Sequence, residues 1–165
     1  MSGDWSPEEH GFETLAIHAG QDPEPTTGAV VTPIYQTSTY AQSEVGVHQG
    51  YEYSRSGNPT RTALETCLAA LERGSRGLAF ASGLAAEDTV LRTVLTPGAH
   101  AVVPDDAYGG TYRLFAKVAS RWGVENTPVP LADLDAVRAA IRPETKLVWV
   151  ETPTNPLLGI ADISA

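Results

Sequence analysis

The pattern of apolar and polar positions changes character near residue 50. Before that point only "FETLAIHAG" carries a helical stripe, with Phe12, Leu15 and Ala16 on one side and Gly20 as its stop. The stretch after it, "QDPEPTTGAVVTPIYQTSTYAQ", has three prolines and no helical period. Val30, Val31, Ile34, Tyr35 and Tyr40 make it too apolar for a free linker. Long irregular segments of this kind are usually functional or interaction segments. Residues 1–50 therefore read as an arm that packs on a second subunit, with a disordered tail as the alternative.

From Asn58 the texture is regular. Asn58 suits an N-cap and Pro59 the first helical position; Leu64, Cys67, Leu68 and Leu71 then share a face, and Gly74 closes the helix. "GLAFA" reads as a short strand running through Ser82-Gly83 into a helix with Leu84, Leu91, Val94 and Leu95. "AHAVVPD" is a strand, "DDAYGG" a loop, and "TYRLFAKVASRWG" a helix with Leu114, Phe115, Val118 and Trp122 inward and Gly123 as its stop. A strand at "VENTPV", the helix "LADLDAVRAAI", the strand "KLVWV" and the loop "ETPTNP" follow. Strands that are apolar without alternation, interleaved with helices, predict an α/β fold: a mainly parallel sheet with helices on both faces. "LLGIADISA" looks like the first turn of another helix, so the chain reads as the front part of something larger, 51–165 being an incomplete domain.

Composition narrows the function. A chain of 165 residues, 42 % hydrophobic, can hold a core of its own. A net charge of −9 without a Lys/Arg cluster argues against a nucleic-acid surface and makes any phosphate site local. The single cysteine, Cys67, excludes an internal disulfide, fits a reducing compartment and lies on a helical stripe as a core thiol. The start, "MSGDWSPEEH", lacks the apolar region of a secretory signal, and no apolar run approaches a membrane span. The expected location is cytoplasmic.

In a parallel sheet, ligands collect beyond the carboxyl ends of the strands. Three polar clusters fall there: Ser82-Gly83-Leu84, Asp105 to Gly110, and Glu151 to Asn155. The first opens a helix, where free N–H groups and the dipole favour an anion; Gly83 equally serves a tight turn. Tyr108 can stack on a flat ring or pack over the next helix. Glu151 and Asn155 can hydrogen-bond ring substituents or cap a following helix. Arg55 offers a bidentate phosphate clamp and Tyr53 a phenol. Together these suit a small aromatic phosphate such as pyridoxal 5'-phosphate, while neither the dinucleotide nor the P-loop fingerprint is present.

The blocks "YEYSRSGNPTR", "FASGLAA", "PDDAYGGTYR" and "VWVETPTNP", with the arm "AIHAGQDPEPTTGAVVTPIYQTSTY", resemble the Cys/Met-metabolism enzymes that use pyridoxal phosphate. These include cystathionine γ-synthases and γ-lyases, and the likeness covers essentially the whole chain. It implies fold type I, with this chain forming the arm and the first half of the large cofactor-binding domain. It implies small sulfur amino-acid substrates and a homo-oligomer built as a dimer of dimers. By position, Tyr53 and Arg55 would bind the cofactor phosphate of the neighbouring subunit, with Tyr53 also close to the substrate. Ser82, Gly83 and Leu84 would lend donors to the same phosphate. Tyr108 would stack on the pyridine ring, Asn155 would contact the phenolic oxygen, Glu151 would support the pocket, and Arg113 would lie near substrate.

The family also needs a Schiff-base lysine and an aspartate on the pyridine nitrogen, both of which come later in its chains. The two lysines here, Lys117 and Lys146, lack that setting. The 165 residues alone are therefore expected to be inactive. The complete enzyme is expected to make cystathionine by γ-replacement on an activated homoserine; γ-lyase, homoserine-ester sulfhydrylase, or a non-catalytic dimerising, phosphate-binding remnant are the alternatives.

Overall fold

The computed structural model describes residues 5–165, so the first four residues of the expected arm and signal-free start lie outside the described residues. The chain groups into two compact units that meet in sequence at Ala79/Phe80.

In the first unit, α1 spans Phe12–His18 and α2 spans Pro59–Leu71, and the two pack together. Only Leu15 of the expected α1 stripe is buried; its inward partner is Ala19 at i+4, while Phe12 and Ala16 are exposed. The contact of this short helix with α2 leaves Phe12 uncovered. The path then turns at Gly20, whose φ of +74° is left-handed and where a Cβ would lie 2.5 Å from the Ala63 carbonyl oxygen. Only glycine permits that approach.

Asn58 caps α2 as expected: its Oδ1 accepts from Thr60 N (2.9 Å) and Arg61 N (3.3 Å). Its Nδ2 donates to the Tyr35 carbonyl at 2.8 Å, so the same side chain ties down the arm. Thr60 adds a second tie, donating to Pro33 O (2.8 Å) and accepting from Tyr35 N (2.9 Å). The far end of α2 departs from expectation. Gly74 N–H closes back on Ala69 O at 2.8 Å, but the left-handed residue is Arg73, with φ of 53°. The α2 stripe is also incompletely covered, since Leu64 and Leu68 are about half exposed and Cys67 is half-buried against α1 carbonyls. The core thiol expected of Cys67 is thus a peripheral one. Val30, Val31 and Ile34 on the arm are exposed as well.

The second unit holds α3 (Gly83–Val94), β1 (His100–Pro104), α4 (Gly109–Arg113), β2 (Glu125–Val129), α5 (Leu134–Ala140) and β3 (Thr145–Val148). The helix starting at α4 continues through a π turn, Leu114–Val118, and a 3₁₀ turn, Ala119–Trp122, to the left-handed Gly123. The sheet runs in the order β2-β1-β3, all parallel, as the unbroken apolar strands predict. The central strand β1 is buried along its whole length. Leu91 and Leu95 of α3, Ala101 and Val103 of β1, and Leu114, Phe115 and Ala119 form the core, with Trp122, Leu147 and Trp149 at its edge.

Residues 77–81, expected as a strand, form no ladder among the described residues. A strand needs a neighbour to hydrogen-bond, and Leu78 and Phe80 stay exposed without one. No helix among the described residues is long and apolar enough to cross a membrane.

Candidate functional site

The second unit brings two of the expected loop clusters into direct contact. Glu151, just past β3, accepts from the backbone N–H of Tyr108 at 2.8 Å through Oε2. Its Oε1 accepts from Trp149 Nε1 at 3.1 Å, which fixes the carboxylate from behind. Three residues on, Thr154 Oγ1 donates to Asp106 Oδ2 at 2.6 Å. The loop after β1 is thereby held to the loop after β3 at two points, beyond the carboxyl ends of the strands.

Gly110 shows how tightly that loop folds. A Cβ there would overlap the Tyr108 ring and stand 3.2 Å from Leu84 Cδ1, so the ring, the loop and the first turn of α3 adjoin. Tyr108 is 45 % exposed. Ser82 caps α3 by accepting from Ala85 N at 3.2 Å, which leaves its hydroxyl hydrogen free to donate. The first N–H groups of the 12-residue α3 have no intrahelical partner. At Gly83 a Cβ would meet nothing within 4 Å, so the main chain there faces open space. Asn155 is exposed, and no hydrogen bond engages its side chain among the described residues. It does not cap a helix. Arg113 lies beside the loop, its Nη1 3.3 Å from where a Gly109 Cβ would be. The open first turn of α3, the half-exposed Tyr108 and the unengaged Asn155 amide are chemically compatible with a small aromatic phosphate.

In the first unit, Tyr53 pairs through its backbone with Thr39, and its carbonyl accepts from Ser56 N and Gly57 N in a turn. The Arg55 guanidinium carbon lies 4.8 Å from the Tyr53 ring centroid, a cation–π contact that pairs the two side chains. No ion pair engages Arg55 among the described residues. Arg61 braces this turn from α2, donating to Ser54 O at 2.9 Å and Arg55 O at 3.3 Å.

Several residues escaped the sequence reading. Nothing in the spacing of Arg61 from Asn58 signals that its side chain turns back to the loop. Thr154 lay between two prolines, and only its burial, at 4 % exposure, singles it out. Glu87 accepts from Thr111 Oγ1 at 3.0 Å; burial raises its pKa, the Thr111 hydrogen bond opposes this, and the Glu151 charge adds to the rise. His100, buried at the opposite end of β1, reaches Thr145 Oγ1 and Thr127 Oγ1, each at 2.8 Å.

Comparison with known proteins shows the family of the chain. The family model for Cys/Met metabolism PLP-dependent enzymes matches residues 13–165. The cystathionine γ-synthase of Mycobacterium tuberculosis is 64 % identical over 156 residues, covering 94 % of this chain and 40 % of that protein. The cystathionine γ-lyase of Bacillus subtilis is 52 % identical over 152 residues, covering 92 % of this chain and 40 % of that protein. The crystal structure of metB from Corynebacterium glutamicum superimposes with a TM-score of 0.91 at 52 % identity, covering 96 % of this chain and 41 % of that one. The chain therefore spans about 40 % of the length of these relatives. With the match running from the arm to the last residue, the chain belongs to the family of Cys/Met-metabolism enzymes that depend on pyridoxal phosphate.

Proposed function

We propose that this chain supplies the phosphate and ring contacts of the cofactor site in a cystathionine-metabolising enzyme, with γ-replacement on an activated homoserine by cysteine as the reaction served. The observation that carries the reading is the Glu151 bond to Tyr108 N–H, which joins two of the three loop clusters at one mouth. Greater identity to a γ-synthase than to a γ-lyase, 64 % against 52 %, favours the synthase outcome.

Each residue then has a physical task. Backbone N–H groups at Ser82, Gly83 and Leu84 receive the phosphate, aided by the helix dipole. The Tyr108 ring stacks on the pyridine, Glu151 holds the Tyr108 main chain, and Asn155 donates to the phenolic oxygen. Arg113 awaits a substrate carboxylate. Tyr53 and Arg55, already paired in a cation–π contact, reach the phosphate of a neighbouring subunit, and the Tyr53 phenol can hold a proton beside the substrate. When bound, pyridoxal phosphate supplies the electron sink that lets protons leave the substrate carbons.

Lys146 lies near the start of β3, at the end of the sheet away from this mouth, and Lys117 sits exposed on the π turn. Neither is set to reach a cofactor ring there, so the 165 residues alone are expected to show no turnover. The arm and its exposed Val30, Val31 and Ile34 suit packing within a homo-oligomer. The test is a product panel on the complete protein with pyridoxal phosphate, using O-succinylhomoserine or O-acetylhomoserine with cysteine or sulfide, and cystathionine alone. Cystathionine formation from an ester and cysteine supports the synthase. Cleavage of cystathionine alone would instead assign the lyase, sulfide incorporation the sulfhydrylase, and no product at all a non-catalytic dimerising module.

A further inference from the structure

We infer that Thr154, Asp106 and Gly159 form a latch that positions Tyr108 and Asn155 before any ligand arrives, making Thr154 and Asp106 positioning residues. This rests on the cofactor-site reading above.

Thr154 is buried and uses both capacities of its hydroxyl. It donates to Asp106 Oδ2 at 2.6 Å and accepts from Gly159 N at 2.8 Å. Its main chain closes the same loop: Thr154 N donates to Gly159 O, and Leu158 N to Thr154 O, both at 3.0 Å. One residue therefore fixes the turn 154–159 internally and anchors it to Asp106, two residues before the stacking ring. Asn155, next in the chain, inherits its position from this anchor. The Glu151 bond to Tyr108 N–H restrains the same loop from a second point, so rotation about either bond alone is blocked.

Gly159 explains why the latch tolerates no side chain. A Cβ there would stand 2.9 Å from Asp106 Oδ2 and 3.0 Å from Thr154 Oγ1, wedging into the hydrogen bond itself. Its φ is not left-handed, so a substitution there acts through space rather than through backbone strain. A short bond to a carboxylate is charge-assisted, and its loss leaves the Glu151 bond as the only one of these two ties between the loops.

The test uses the complete protein prepared without cofactor. Pyridoxal phosphate is titrated in by absorbance, and the circular dichroism induced in the cofactor band reports how rigidly the ring is held. Thr154→Val should weaken cofactor binding at least about tenfold, as expected for one charge-assisted bond, and should diminish the induced signal. Thr154→Ser, which keeps the hydroxyl, should restore both. Gly159→Ala should reproduce the loss without removing a polar group, and it serves as the test should Thr154→Val fail to fold. Unchanged binding and induced signal in Thr154→Val, or in Gly159→Ala where the former does not fold, would overturn the latch. A lower melting temperature with the cofactor signal intact would do the same, by reducing Thr154 to a structural role. If the wild-type protein binds no pyridoxal phosphate, the cofactor-site reading fails, and the latch fails with it; the other outcomes separate the two.

Discussion

Arg55 illustrates how a residue's surroundings constrain its role. An arginine with no ion pair among the described residues, yet held over a tyrosine ring and braced through its carbonyl by Arg61, is pre-aimed and keeps its charge available. Replacing it with alanine in the complete protein should weaken pyridoxal phosphate by roughly 1.5–3 kcal/mol, the range for a charge-assisted hydrogen bond. Equilibrium titration of the cofactor reads this directly, and an unchanged affinity would remove Arg55 from the site. Glu87 gives a second prediction at this scale. Its carboxyl is raised above the ordinary range, chiefly by burial, so the folded chain holds that proton to higher pH than the unfolded chain does. Stability should then fall as pH rises through the window above 4.5, because ionising Glu87 in place is unfavourable. Glu87→Gln, which can still accept from Thr111, should flatten that slope in pH-dependent denaturation curves; an unaltered slope would contradict the assignment.

At the scale of elements, two devices stand out. Asn58 both caps α2 and holds the arm through Tyr35. Asn58→Ala should cost about 1 kcal/mol from the lost cap and also raise hydrogen exchange around Tyr35, a change that a cap alone would not produce. His100 staples the sheet, linking β1 to Thr127 of β2 and Thr145 of β3. Burial lowers its pKa below 6.5, Arg142 adds to the lowering, and Glu125 and Glu144 oppose it. The unfolded chain therefore takes the proton first, and stability is lost as pH falls from 6.5 towards the folded value. His100→Gln should abolish this acid-side decline.

Much of this layer was legible in the sequence. The strands β1, β2 and β3, the Asn58 cap and the Gly123 stop follow from local rules of periodicity and capping. The strand expected at 77–81 failed because a strand is defined by its neighbour, and local pattern cannot supply one. The break into π and 3₁₀ turns after Arg113 was equally hidden, since the apolar spacing of Leu114, Phe115 and Val118 suits a plain helix. Within the candidate site, residue types alone single out Tyr108, Glu151 and Gly83 as candidates. Asp106 and Thr154 could not be found that way, because their meaning lies in a bond spanning 48 positions.

At the scale of the whole molecule, apolar residues on the arm and along α2 stay exposed. A single chain leaves Val30, Val31 and Ile34 in water, whereas an oligomer would bury them and place Tyr53 and Arg55 where another subunit can use them. In the proposed function each cofactor site draws on two subunits. Co-producing Arg55→Ala and Tyr108→Ala forms of the complete protein and measuring the cystathionine-forming activity of the mixture tests this. In a shared site, each mixed dimer contains one site with both residues intact and one with neither, so random pairing restores about a quarter of the sites. Activity clearly above that of either variant alone is the predicted result. A mixture no more active than its two components would show that Arg55 and Tyr108 serve one site within one chain, and would contradict the account.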